Sequence, residues 1–338
     1  MRRGSSESGF TIIELLIATA LALAVLGTAV IAFKDMADMN DGVALVADVN
    51  LGLRSAVNLI TQDLVSAGRD IPIGGIPIPS GADAVPLVRP GPPGGDLTFA
   101  ADEPTLAAVT PGDGLGPVIN GAATDVITVL MADTVLPLNT EFLTDIAADG
   151  SSATVDDAIA IDDPADGISP GDLLMLSNPL GNALVMVTGR DGQTIDFASG
   201  DDMNLNQPGA GQGTLLQLQS APGAYPDTTA TRILMVTYYI NADDPNRPLL
   251  IRRLNLGPER AIAVGVENVQ ITYDLVDGDS NPVNQPEPVL PNTPDEIRKA
   301  NVFLSGRSYR PWWRTKALLR ASLSTQVSLR SLSFRDRY

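Results

Sequence analysis

Residues 10–33 form a run of 24 residues that carries one charge, Glu14. As a helix at about 1.5 Å per residue this run is roughly 36 Å long, enough to cross a hydrocarbon core of about 30 Å with some tilt. The segment before it, MRRGSSESG, is short, polar and basic. A secretory signal peptide would place its cleavage site after the apolar run, at small residues. Here the run is long for such a core, and the Gly9-Phe10 pair lies ahead of it. A plain membrane anchor accounts for the length but leaves Glu14 unexplained. A carboxylate in an apolar membrane helix is costly and marks a functional position by default. It requires a cationic partner, and the run offers none. Cutting the peptide bond after Gly9 would create one, the amine of Phe10. That amine would lie one turn from Glu14 in its own chain, or face Glu14 of a neighbour.

Charge narrows the reading further. The net charge is −18, but residues 298–338 carry ten Lys/Arg and one acid, Asp336, so the remainder carries −27. Such a bulk is poorly suited to nucleic acid or anionic lipid, and a basic C-terminal segment in an acidic protein is expected to pair within the fold. With no cysteine and no histidine, thiol nucleophiles, Ser-His catalysis and the usual zinc ligand sets are excluded. Arg2 and Arg3 on the short side of the span place the N-terminus in the cytoplasm and the rest across the inner membrane.

Beyond residue 33 the helical pattern continues. Met39, Val43, Val46, Val49, Leu53, Val57, Ile60 and Leu64 recur at three- and four-residue steps, with Asp41, Asp48, Ser55 and Gln62 on another face. This predicts one helix over about residues 10–67, apolar all round in its first half and amphipathic over 34–68. Gly68 suits the position after its end, and Pro72 forbids continuation. Gly27 and Gly42 are weak points of about 1 kcal/mol each relative to Ala. Residues 68–95 hold seven Pro and seven Gly and read as loop. The rest is β-patterned, with strands predicted at 126–131, 172–177, 183–188, 194–197, 214–219, 232–240, 249–254, 269–275, 301–304 and 322–329, and turns at Asp191-Gly192 and Asp277-Gly278. Residues 164–199 suggest a compact β unit, an insertion reaching to about 220. The fold class is therefore α+β: a long N-terminal helix packed on a β-rich globular domain over 69–338.

The junction G-F-T-I-I-E-L-L-I at residues 9–17 resembles the class III leader junction of type IV prepilins. The resemblance implies a pilin-like fold. It also implies a leader, residues 1–9, removed by a prepilin peptidase that cuts after Gly9 and methylates the amine of Phe10. Glu14 matches the glutamate that pairs with a neighbouring subunit's amine in the filament. Further segments are similar to PilW-type minor pilins: Asp63-Leu64-Val65-Ser66-Ala67-Gly68, Ser169-Pro170-Gly171-Asp172, Val236-Thr237-Tyr238-Tyr239-Ile240 with Leu250-Ile251-Arg252-Arg253, Gly265-Val266-Glu267-Asn268-Val269 with Asp277-Gly278-Asp279, and the closing Thr325-Gln326-Val327-Ser328-Leu329-Arg330. Val65, Arg69 and Ser331 depart from the family's usual Arg, aromatic and Asn. The implied function is structural: a minor pilin in initiation or the tip complex of a type IV pilus, with other pilins as partners, no cofactor and no enzymatic activity. A J-type minor pseudopilin of a type II secretion system shares the leader and helix and is the alternative.

Three further groups are candidate sites. Trp312 and Trp313, among Arg307, Arg310, Arg314 and Lys316, combine aromatic and basic side chains. Packing under an edge loop ranks first for them, a pilin–pilin contact second, and nucleic-acid stacking, as in a tip adhesin or DNA-uptake subunit, third. Asp277, Asp279 and Asn281 have the alternation of a calcium loop, but Pro282 and Pro288 stand where such a loop needs Gly and Glu. A solvated turn is the expected outcome there, as it is for Asp156, Asp157, Asp162, Asp163 and Asp166.

Overall fold

The computed structural model describes residues 9–100, 103–163 and 167–333. Residues 1–8 of the expected leader, and Asp166 of the second acidic group, lie outside the described residues.

One helix, α1, runs over Ile12–Ser66. Its ends are set by local chemistry. Thr11 caps the start, its Oγ1 accepting from the Glu14 amide at 3.3 Å while the Glu14 carboxylate accepts from the Thr11 amide at 3.0 Å. At the other end Gly68 takes φ +73°, and its amide donates to the Leu130 carbonyl at 2.9 Å. That bond fixes the helix terminus onto the adjoining strand, and a side chain at Gly68 would press on Leu332 and Ala108. No residue of α1 up to Phe33 is buried, and α1 is long and apolar enough to cross a membrane.

The second half packs one-sidedly, along Leu45, Leu53, Ala56, Val57, Ile60 and Leu64. This corrects the upper part of the expected stripe: Met39 and Val43 face outward, and Leu45 is buried in their place. The apolar residues there recur on two faces of the helix, and periodicity could not decide which one the domain takes.

A 13-residue strand, Thr229–Asn241, is the hub of a seven-stranded antiparallel sheet. Strand Ile127–Asp133 takes one edge of it; Leu173–Asn178 and Leu249–Leu254 share the other, end to end. Asn255 fills the gap between those two, bonding both ways with Met235 and donating to the Gly171 carbonyl. A separate three-stranded sheet is built from Val266–Leu275, Ile297–Arg307 and Arg320–Ser328. The apolar stripe of α1, both sheets and Leu332 enclose the main core, which includes Ile60, Leu64, Leu130, Tyr238, Leu250, Val266, Ile271, Leu304 and Val327.

Nine of the ten predicted strands are present, Leu249–Leu254 with the predicted ends and the other eight with shifted ones. Segment 214–219 is instead a 3₁₀ helix over Leu215–Leu218, which buries Leu215 and Leu218 in a second core. The expected β unit at 164–220 is split between sheets. Leu173–Asn178 and Gly181–Met186 join the large sheet, whereas Gly189–Asp191 and Thr194–Asp196 pair with Ser152–Thr154, next to Asp145–Ile146, in a four-stranded sheet. The second core lies between these two sheets and draws on residues from Leu136 to Ala230. The turn at Asp191-Gly192 is a hairpin, but Asp277-Gly278 opens a longer connection, residues 276–296, folded back by mutual backbone bonds between Tyr273 and Gln285.

Candidate functional site

Gly9 and Phe10 lie exposed ahead of α1, Phe10 at 85%. One turn on, the Glu14 carboxylate is turned back over the helix start. Its Oε2 accepts from the Thr11 amide at 3.0 Å and from Thr11 Oγ1 at 2.9 Å. Both bonds fall on the same oxygen, so Oε1 has no donor among the described residues. Around this single acid the surface is apolar on every side, including Ile12, Leu16, Leu23, Leu26, Val30 and Phe33. The arrangement can hold one cation against Oε1 while Oε2 keeps the helix capped. It presents no nucleophile or acid–base pair.

The hairpin that joins Ile297–Arg307 to Arg320–Ser328 brings the Trp–Arg group onto α1. Arg310 forms a fork with Asp41, with Nη2 2.5 Å and Nη1 3.2 Å from its oxygens. The Arg310 guanidinium is held well above its ordinary pKa by that bond and by one to the Tyr309 hydroxyl. Trp312 lies flat on Gly42, where a Cβ would come within 3.0 Å of its ring, and its Nε1 donates to the Asp38 carbonyl at 3.1 Å. Trp313 meets Lys34, whose Nζ is 5.7 Å from the ring centroid. Gly42 thus seats the indole, a role its position in a helical pattern did not reveal. Arg314 is exposed and makes no such contact.

Two buried charge clusters were not singled out in the sequence: one fastens the domain to the helix, and the other ties the three-stranded sheet together. Asp63, on the packed face of α1, accepts from Tyr238 Oη at 2.5 Å and from Arg252 Nε at 2.8 Å. Burial, then the Asp63 charge, push the Tyr238 phenol far above its usual pKa, so it stays a donor. Glu267 sits where a bulge removes it from the register of Val266–Leu275, and it is turned inward at 4% exposure. There it accepts from Arg307 at 3.0 Å, Arg320 at 2.7 Å and Asn120 at 3.0 Å. Burial alone would raise its pKa, but Arg320, Asn120 and Arg307 together hold it below the ordinary glutamate value.

No family model, no curated protein and no solved structure matches this chain.

Asp277 turns its oxygens onto its own loop, accepting from the amides of Asp279 and Asn281, from Ser280 Oγ and from Asn292 Nδ2. These bonds, the two amides foremost, hold its carboxyl far below the usual range. Among the described residues no group of three or more acidic side chains converges to hold a metal ion. Asp156 caps a turn through the Ala158 amide, and Asp157, Asp162 and Asp163 lie on exposed loop.

Proposed function

We propose that this chain is a structural subunit of the type IV pilin class, a minor pilin in the initiation or tip complex of a pilus. It is anchored in the inner membrane by the first half of α1 and released into the filament after a prepilin peptidase cuts between Gly9 and Phe10. The observation that carries this reading is the part of α1 up to Phe33: an apolar cylinder with no buried residue and one carboxylate, whose Oε1 has no donor while Oε2 serves the cap. Lipid or the equivalent helices of neighbours must cover such a surface. A new amine at Phe10, in this chain or the next, would supply the positive charge that Oε1 lacks.

The rest of the chain suits a scaffold. Asp63 and Glu267 are neutralised within the fold, and Trp312 is spent on Gly42 and Asp38. That engagement favours an intrachain clamp over a nucleic-acid platform and leaves the J-type pseudopilin of a secretion system as the alternative within the same class.

The test is the N-terminal mass of the chain from its native host. A protein starting at Phe10 with one added methyl group is expected; one starting at Met1 overturns the proposal. In a host carrying a prepilin peptidase, Gly9→Ala is expected to leave most of the chain uncut on a gel, and normal processing would count against the assigned junction.

A further inference from the structure

We propose that the tip of the hairpin between Ile297–Arg307 and Arg320–Ser328 is a membrane-surface contact that binds anionic phospholipid headgroups through Trp313, Arg314 and Lys316, together with Lys34. This inference rests on the reading of α1 as membrane-spanning, and not on leader cleavage or pilus assembly.

The placement follows from a progression along the helix. Arg310 meets α1 at Asp41, Trp312 at Gly42 and Asp38, and Trp313 at Lys34. From Arg310 to Trp313 the contacts move down α1 toward the apolar run, by roughly 10 Å from residue 41 to residue 34 at about 1.5 Å per residue. Lys34 immediately follows that run, so Trp313 lies where the helix leaves the hydrocarbon core. The headgroup layer adds about 5–8 Å on each side of that core. Beyond Trp313 the chain turns back tightly: the Lys316 amide donates to the Trp312 carbonyl, the Trp312 amide donates to the Ala317 carbonyl, and Lys316 sits at φ +57°. This turn presents Trp313, Arg314, Thr315 and Lys316 as an exposed tip.

The chemistry of the tip fits lipid phosphate. Among the described residues the side chains of Arg314 and Lys316 have no hydrogen bond or ion pair, unlike Arg307, Arg310 and Arg320, which are each committed to a carboxylate. Trp313 is 38% exposed and Tyr309 66% exposed, with aromatic rings of the kind that settle at a membrane interface. A guanidinium beside an ammonium offers forked and point donors to phosphate oxygens. Outside residues 298–338 the chain carries −27, so an anionic surface repels the rest of the domain and admits this end. The consequence is a domain held down on the bilayer by two points, the helix and the hairpin tip.

Both tryptophans of the protein lie in this hairpin, so Trp312→Phe leaves Trp313 as a single reporter. The full-length variant is reconstituted into vesicles of phosphatidylcholine alone, or of phosphatidylcholine with phosphatidylglycerol, with a spin-labelled lipid bearing its quencher at headgroup depth. The expected result is quenching of Trp313 at least about twofold stronger in the anionic vesicles, lost on raising salt. The difference disappears in Arg314→Glu with Lys316→Glu. The wild-type chain is measured alongside, to show that the Phe substitution has not displaced the hairpin. Carbonate-resistant flotation of the same samples separates the two readings. A chain that floats but shows equal or absent quenching in both lipids overturns the headgroup contact and leaves the membrane helix standing. A chain that does not float overturns the membrane reading itself.

Discussion

At the scale of single residues, the most consequential atoms are buried carboxylate oxygens far from any expected site. Asp63 meets Tyr238 and Arg252 across 175 and 189 positions of sequence. Removing one member of a buried pair strands the other, so Asp63→Ala is expected to cost about 3–5 kcal/mol. The check is the denaturant midpoint of the detergent-solubilised chain; a shift within the error of a neutral surface substitution would refute it. Glu267 makes a prediction about pH. Its folded pKa is depressed, so its contribution is whole above the unfolded glutamate value and is lost as pH falls through the folded one. Asp125 and Asp172 are pushed upward, chiefly by burial, and act with the opposite sign. The measurement is therefore the difference between wild type and Glu267→Gln: the stability gap is expected to be widest near neutrality and to narrow on acidification below pH about 4.5. A gap that stays constant with pH would show that the loss is packing alone. None of these partners was legible locally. A strand pattern does not say what lies opposite Tyr238 or Arg252, nor that a bulge at Glu267 will turn it inward.

At the scale of elements, α1 was the most legible part, because the apolar run and the period of 3.6 that follows it together cover more than fifty residues. The Gly68 stop was equally plain, since φ +73° suits glycine and little else. What the pattern left open was the side the domain occupies near residue 40. Leu45 faces inward and Val43 outward because the hairpin from residues 308–319 approaches at Gly42 and brings Trp312 with it. Gly42, which in isolation only weakens a helix, is thereby a docking surface. In a Trp313→Phe background, Gly42→Leu is expected to push the Trp312 ring off the helix. Its emission should move to the red, toward that of water-exposed indole, while helix content by circular dichroism is kept or slightly raised. Unchanged emission would mean the indole finds the same burial without the glycine. The short strands fared unevenly for a related reason. Leu249–Leu254 pairs with the hub strand and matches its pattern, whereas 214–219 has the apolar spacing of a strand but pairs with none, and coils into a 3₁₀ turn against Gly181–Met186.

At the scale of the whole molecule, the two halves of α1 have opposite needs. The second half is satisfied by the domain through the main core, Asp63 and the Trp312 clamp. The apolar part up to Phe33 has no residue buried by the chain, which leaves a surface for a membrane or other helices to complete. In membrane the Glu14 carboxylate lies within reach of the headgroup layer. In a bundle of helices it loses that access and requires a cation of protein origin. This asymmetry separates the steps at which Glu14 matters. Glu14→Leu keeps the proposed leader junction at Gly9 and Phe10 and lengthens the apolar run, so insertion and cleavage are expected to proceed normally. Incorporation into filaments should then be slower by on the order of tenfold, the loss of one charge-assisted bond. The measurement is the fraction of processed chain recovered in sheared filaments against that in the membrane, in a host expressing the partner subunits. Glu14→Gln refines it: the amide can still accept from Thr11 and hold the cap, so wild-type recovery in Gln with a deficit in Leu would assign Glu14 to capping. An equal deficit in both would assign it to charge.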